Sequence, residues 1–344
     1  MRVEASGQRG GLRVLTFLRR VEKDEGGSVI VLVAMMLVVL LGMAALVVDA
    51  GMLFESRRAL VTTADSAALA GATEFAYVIL NEGSVEDAAD AAETRARQYA
   101  VMNGTAAENV TVIVDADNFT VTVEVVRSNN LAFASVLGVP NSPTSARAVA
   151  ATGPLYSMGE GAMPIYVSPA AHDYTGETLD LREGTPPPLT PGNFTALALG
   201  DPGANVYLYN LIHGFSGTIS RGDYVPVETG NIPNKTVQGI QDRIDRCISG
   251  CSRPPGMTDC TAGNHASDCP RVVALLVCDF EDLHGHQDIL VDGFLTFFLD
   301  DVYKDGGTVV VNGHVLNDIR SGKIKGASGQ PGADFGTWGV NLIQ

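Results

Sequence analysis

The stretch that most constrains this chain is Val29–Val48, VIVLVAMMLVVLLGMAALVV, twenty residues without a charge, an amide or a hydroxyl. Wound as a helix at about 1.5 Å per residue, it is about 30 Å long, the thickness of a bilayer's hydrocarbon core. Acidic residues bracket it, Asp24 and Glu25 before and Asp49 after. A surface helix of a globular protein keeps a polar face, and this run has none. It reads as a membrane helix. The rival is a cleaved secretory signal, whose apolar core usually runs about 7–15 residues. The greater length here and the poor cleavage context Val48-Asp49-Ala50 favour an uncleaved anchor.

Charge gives the anchor an expected direction. Residues 1–23 hold six basic side chains, Arg2, Arg9, Arg13, Arg19, Arg20 and Lys23, against Glu4 and Glu22. Everything after Val48 holds 17 basic and 35 acidic residues, a net of −18 within the whole chain's −16. Basic residues on the N-terminal flank place that end in the cytoplasm and the other 296 residues beyond the membrane. An acidic, aromatic-poor ectodomain lacks the basic footprint that nucleic acid requires.

After the run the helix is expected to continue. Gly51 is its one weak point, at a cost of about 1 kcal/mol against Ala. Met52–Ala76 contains no Pro and much Ala, and Ala64, Ala67, Ala68, Ala70, Gly71 and Ala72 form a small-residue surface that admits another backbone closely. Asn81-Glu82-Gly83 supplies the stop, so a helix from Ser28 to Leu80 would be about 80 Å long. Ser84 with Asp87 reads as the cap of a second helix, Val85–Met102, with Ala88, Ala92, Ala96 and Tyr99 on one face. Alternation at Val110, Val112 and Val114, and at Phe119, Val121, Val123 and Val125, predicts two strands joined by the turn Asp115–Asn118. Leu131–Leu137 reads as a short helix ended by Gly138, and Ser145–Thr152 as a third strand.

From about Gly153, Gly and Pro recur every few residues, and Pro186-Pro187-Pro188 marks an extended connection. β-like runs then dominate, at Ile165–Val167, Asn205–Tyr209, Val272–Phe280, Phe294–Leu299 and Val309–Val311. One helix is expected, Val237–Ile248 with Thr236 as cap and Ile240, Ile244 and Ile248 in register. The expected fold class is α+β: a transmembrane helix continuing into a long helix packed on a small antiparallel sheet, then a mostly β second domain. The expected divisions are a basic cytoplasmic arm (1–28), the transmembrane helix (29–48), an α+β domain (49–153) and a mostly β extracytoplasmic domain with a Cys-rich loop (154–344).

The residues that carry a family resemblance sit at the join. They are Glu25-Gly26 before the anchor, Val48-Asp49-Ala50-Gly51 at its outer end, and Ala64-Asp65-Ser66-Ala67-Ala68-Leu69-Ala70-Gly71-Ala72 beyond. This succession resembles the TadE/TadG-like proteins of Flp (Tad) pilus assembly, with Ser66 where Ala is usual. A second resemblance, to the ectodomain many such proteins carry, covers roughly 190–300. It rests on Pro191-Gly192-Asn193-Phe194, Gly230-Asn231, Gln238–Ile244, Cys269-Pro270-Arg271-Val272-Val273, Gly293-Phe294 and Phe297-Phe298-Leu299. The resemblance implies a pilin-like arrangement in a non-enzymatic, membrane-anchored part of a pilus or secretion apparatus. Its partners would be other membrane-anchored pilin-like or platform subunits and the lipid bilayer. After Gly26-Gly27, the position where a processed pilin carries Glu is Val31 or Leu32, which does not support prepilin processing. The Asp-x-Ser-x-Ser string of a von Willebrand A metal site does not occur.

Chemistry-bearing groups are sparse. No G-x-S-x-G frame and no phosphate-binding Gly loop occurs, so neither catalysis, nor a cofactor, nor a small-molecule substrate is expected. The five cysteines run Cys247-x3-Cys251-x8-Cys260-x8-Cys269-x8-Cys278. Paired C-x2-C spacings of a zinc site are absent, and on the expected side of the membrane disulfides are the default. A nested pair, Cys247–Cys269 and Cys251–Cys260, is favoured among the connectivities the spacing allows, with Cys278 an unpaired buried thiol; no metal is expected. One such bridge, closing a loop of about 10–20 residues, would contribute roughly 2–3 kcal/mol. His284-Gly285-His286 reads as a solvated loop rather than a chelate. Asp49 has two readings: a helix-end group in water, or a docking group for a cation on another membrane subunit. With Gly51, Ala64, Asp65, Ala67, Ala68 and Gly71 it makes the expected packing surface toward partners. The function expected is assembly by protein contact. A membrane-displayed adhesin is the alternative, and an exported hydrolase a remote one.

Overall fold

A helix of 56 residues, α1 (Glu25–Leu80), carries the apolar run without a break into the Ala-rich segment. The computed structural model describes residues 25–184, 192–228, 232–253, 255–278, 288–324 and 333–343. Most of the basic arm, the Pro186–Pro188 connection and the His284–His286 pair lie outside the described residues. The chain divides into two units, Met1–Ala59 with Arg127–Ser145 and Leu60–Val126 with Ala146–Gln344.

In the first unit every large side chain of the apolar run is exposed, as a lipid-facing helix requires. Beside the run's end lies the tip of a hairpin. A 3₁₀ turn over Ala134–Leu137 is closed by Gly138 at φ 88°, a left-handed conformation that suits Gly. The tip is fastened by Leu131 N–H to Pro140 O at 2.9 Å and by the Asn129 side chain to Thr144 Oγ1 at 2.9 Å. The expected short helix is thus a single 3₁₀ turn inside a hairpin.

In the second unit α2 (Val85–Met102) starts as expected, with Ser84 Oγ accepting from Asp87 N–H at 3.0 Å. Its Ala88, Ala92, Ala96 and Ala100 share a core with Ala64, Ala67, Ala68, Ala72 and Phe75 of α1. Residues four apart lie on one helix face, and Ala at each of them keeps that face shallow. Strands β1 (Val110–Asp115) and β2 (Thr120–Asn130) pair antiparallel from Val110↔Val125 to Asp115↔Thr120, and their valines close the same core. The third strand, β3 (Asn141–Met158), runs well beyond the expected Ser145–Thr152.

The Gly/Pro-rich remainder contains a closed barrel. It is built from β4 (Ala162–Val167), β5 (Thr178–Glu183), β6 (Asn193–Ala196), β7 (Val272–Val277), β8 (Gly293–Asp305) and β9 (Thr308–Leu316), in the order β8-β9-β5-β6-β4-β7. Both faces of β4 and β7 are buried, which is why their sequences read as unbroken apolar runs. Met163, Ile165, Val273 and Leu275 face one apolar cluster, while Tyr166, Ala274 and Leu276 face another.

Two helices cover the first cluster, α3 (Ala204–His213) and α4 (Pro233–Gly250). The expected strand at Asn205–Tyr209 is therefore part of α3. Tyr207, Asn210 and Leu211 are its buried positions, a spacing of three and four that a short aromatic-rich run conceals. The other expected helix starts one turn early, at Pro233, whose missing N–H suits a first turn. Thr236 consequently lies inside α4, fully buried, with its hydroxyl 3.1 Å from Tyr207 OH. Close approach of α3 and α4 needs Gly239, where a Cβ would stand 2.7 Å from Leu211 Cβ. Strand β10 (Thr337–Leu342) then returns to pair with β3, Trp338 opposite Pro154 and Leu342 opposite Ala150.

Candidate functional site

Asp49 follows directly on the apolar run, yet its side chain is only 4% exposed. Its carboxylate accepts three consecutive backbone N–H groups of the hairpin tip: Ala132 at 2.9 Å, Phe133 at 3.1 Å and Ala134 at 2.7 Å. Burial works against the charged form, but the N–H groups of Ala134, Phe133 and Ala132 outweigh it and hold the carboxyl below its ordinary value. This is a third role for Asp49 beside the two read from the sequence: it ties the anchor's end to a segment more than 80 residues away. Acceptance of consecutive N–H groups by one carboxylate is a tertiary contact, and reading residues 131–137 as a short helix gave no sign of it.

The other residues of the expected packing surface fall into two groups. Ala64, Ala67, Ala68 and Gly71 are buried against this chain's own α2 and sheet. A Cβ on Gly71 would meet Ala92 O and Val121 Cγ1 at 3.0 Å, so the close approach that small residues permit is used internally. Gly51 is exposed, with nothing among the described residues within 4 Å of its Cβ position, and Asp65 is half-buried.

The cysteines form the second constellation. Cys247 lies in the last turn of α4, Cys251 immediately follows its end, and Cys260 and Cys269 come from the loop that leads to β7. Their sulfurs all lie within 4.8 Å of one another. Cys251–Cys260 are 3.4 Å apart, Cys247–Cys269 3.5 Å and Cys247–Cys251 3.8 Å. Sulfur supplies much of the local core, since Cys247, Cys260 and Cys269 pack with Ala266, Val272 and Phe298.

Two arginines border the cluster. Arg253 points Nη2 at Cys247, donating to its carbonyl and lying 3.8 Å from its Sγ. Arg271 is fixed by stacking on Phe298 at 4.4 Å and by donation to Cys260 O at 3.1 Å and Asp300 Oδ1 at 3.1 Å. Burial would push the Cys260 thiol up, but the Ala266 N–H, Cys251 and Arg253 together bring it below its ordinary value. Cys278 stands apart, fully buried in the cluster that contains Tyr166 and Leu276, and burial pushes its thiol up.

The family described as Flp pilus-assembly TadE/G-like matches residues 27–74, the apolar run and the Ala-rich continuation of α1. The match ends before the cysteines and before the segment 190–300. Comparison with curated proteins and with solved structures gave no match.

Proposed function

We propose that this TadE/G-like chain is a structural or assembly component of a Tad-type pilus or secretion machine, single-pass, with its N-terminus in the cytoplasm. The observation that carries the reading is α1: one helix holds the lipid-facing run and the family-matched segment, and its far half is built into a folded body. The packing of its far half with α2 against an antiparallel sheet supports a pilin-like domain after the anchor. The acidic ectodomain acts by protein contact, and the basic arm sets its direction.

Two measurements test this. A reporter active only outside the cytoplasm, fused after Gln344, is expected to be active; activity of a cytoplasmic reporter instead overturns the orientation. Deletion of the gene is expected to abolish pili and crosslinking of the full-length protein to yield pilus-apparatus subunits. Normal pili with lost attachment would instead favour the adhesin reading.

A further inference from the structure

The geometry points to a tetrathiolate metal site at Cys247, Cys251, Cys260 and Cys269, taking one zinc-class divalent ion. Four sulfurs each about 2.3 Å from a zinc ion stand about 3.8 Å from one another. The separations here, 3.4, 3.5 and 3.8 Å with every pair inside 4.8 Å, describe such a tetrahedron. Two disulfides would need two contacts near about 2.05 Å, and disulfide geometry sets no common distance between one pair and the other. Here Cys247 is nearly as close to Cys251 as to Cys269.

The ligand spacing differs from the familiar paired motifs because the helix end of α4 supplies Cys247 and Cys251, placing them one turn apart. Four thiolates around a dication leave two negative charges, and Arg253 at the sulfurs and Arg271 at the Cys260 carbonyl offset them. On binding, each thiol gives its proton to solvent and each sulfur forms one bond to the ion, with no change of oxidation state. On an oxidising side of the membrane the ion also protects the thiolates, because sharing a lone pair with the cation lowers each sulfur's nucleophilicity toward another sulfur. The site would hold a loop with little other core against β7 and β8.

The test uses the full-length chain in detergent. Elemental analysis is expected to find one zinc per chain, and alkylation in denaturant and chelator without reductant to label all five cysteines. Exchange with Co²⁺ is expected to give the strong visible bands of a tetrahedral tetrathiolate, lost in Cys260→Ser and retained in Cys278→Ser. Four cysteines that label only after reduction, with metal absent, overturn the proposal in favour of the nested disulfides. Free thiols that give no cobalt spectrum overturn it as well.

A separate observation carries a second proposal, that the hairpin tip Leu131–Val139 lies in the lipid interface. Asp49 marks the outer end of the apolar run and holds the tip there by its N–H groups. The tip carries no charge, and Phe133, Val136 and Val139 are 47%, 84% and 50% exposed. An apolar, aromatic-bearing tip at this depth has the bilayer itself as its covering surface. The test places a second Trp by Val136→Trp in the full chain, reconstituted in phosphatidylcholine vesicles, with the parent's Trp338 emission subtracted. Blue-shifted added emission, quenched by acyl-brominated lipid, is expected. Added emission quenched by aqueous iodide and not by bromolipid overturns the proposal.

Discussion

Gly71 and Asp49 show how much one residue decides in this chain. At Gly71 the backbone of α2 and the side chain of Val121 occupy the space a larger residue needs. Gly71→Leu is expected to destabilise the folded body by about 1–3 kcal/mol, the cost of forcing extra volume into a packed core. Denaturant unfolding of the full-length protein checks this, with Gly51→Leu as a control in open space. Asp49 is expected to show its tie in the amides it binds. Asp49→Ala should raise hydrogen exchange at Ala132–Ala134 while leaving the β1–β2 ladder protected. Because its folded pKa is depressed, its contribution is full above about pH 4 and fades as pH falls through the lower folded value. Ala134 amide shifts followed against pH should therefore titrate below the ordinary carboxylate value and stop titrating in Asp49→Ala.

At the scale of elements, α1 is the part most legible in the sequence. Its length, stop and capped neighbour follow from composition and from short-range signals at Asn81–Gly83 and Ser84–Asp87, because a helix is closed by bonds four residues apart. A charge at the centre of the run, Leu40→Arg, is expected to cost about 3 kcal/mol of insertion. Alkaline extraction of membranes should then release the variant more readily than Tyr77→Arg, which is equally exposed but lies in the far half of α1. The short elements were less legible. Asn205–Tyr209 carries Tyr and Val at spacings that suit either period, and only the covering position of α3 over the barrel selects the helix. Thr236 resembles a cap by composition, but the bond to Tyr207 that claims its hydroxyl comes from another helix.

Over the whole molecule, the order of elements in space departs from their order in the chain. The last strand, β10, joins a sheet whose first strand begins at Val110, and it brings Trp338 to within 5.7 Å of the Phe119 ring, itself 5.8 Å from Phe75. Trp338 is 3% exposed and its indole donates to Asp334 at 2.9 Å. Trp338→Ala is expected to cost about 3–5 kcal/mol. Exchange-protection loss should reach β2 and the end of α1 as well as β10; loss confined to β10 would mean that the aromatic chain does not couple them.

What the sequence determined by itself was therefore the anchor, its continuation and its join to an Ala-rich segment, since these rest on hydropathy, length and contacts within a few residues. The tertiary structure alone decided three things. It closed β10 onto β3, set the carboxylate of Asp49 against the amides of residues 132–134, and gathered four cysteines spread over 23 residues into one cluster. Apart from Cys247 and Cys251, one helical turn apart, each joins groups whose separation along the chain carries no periodic signal. Their proximity exists only once the barrel and the hairpin have closed the loops between them.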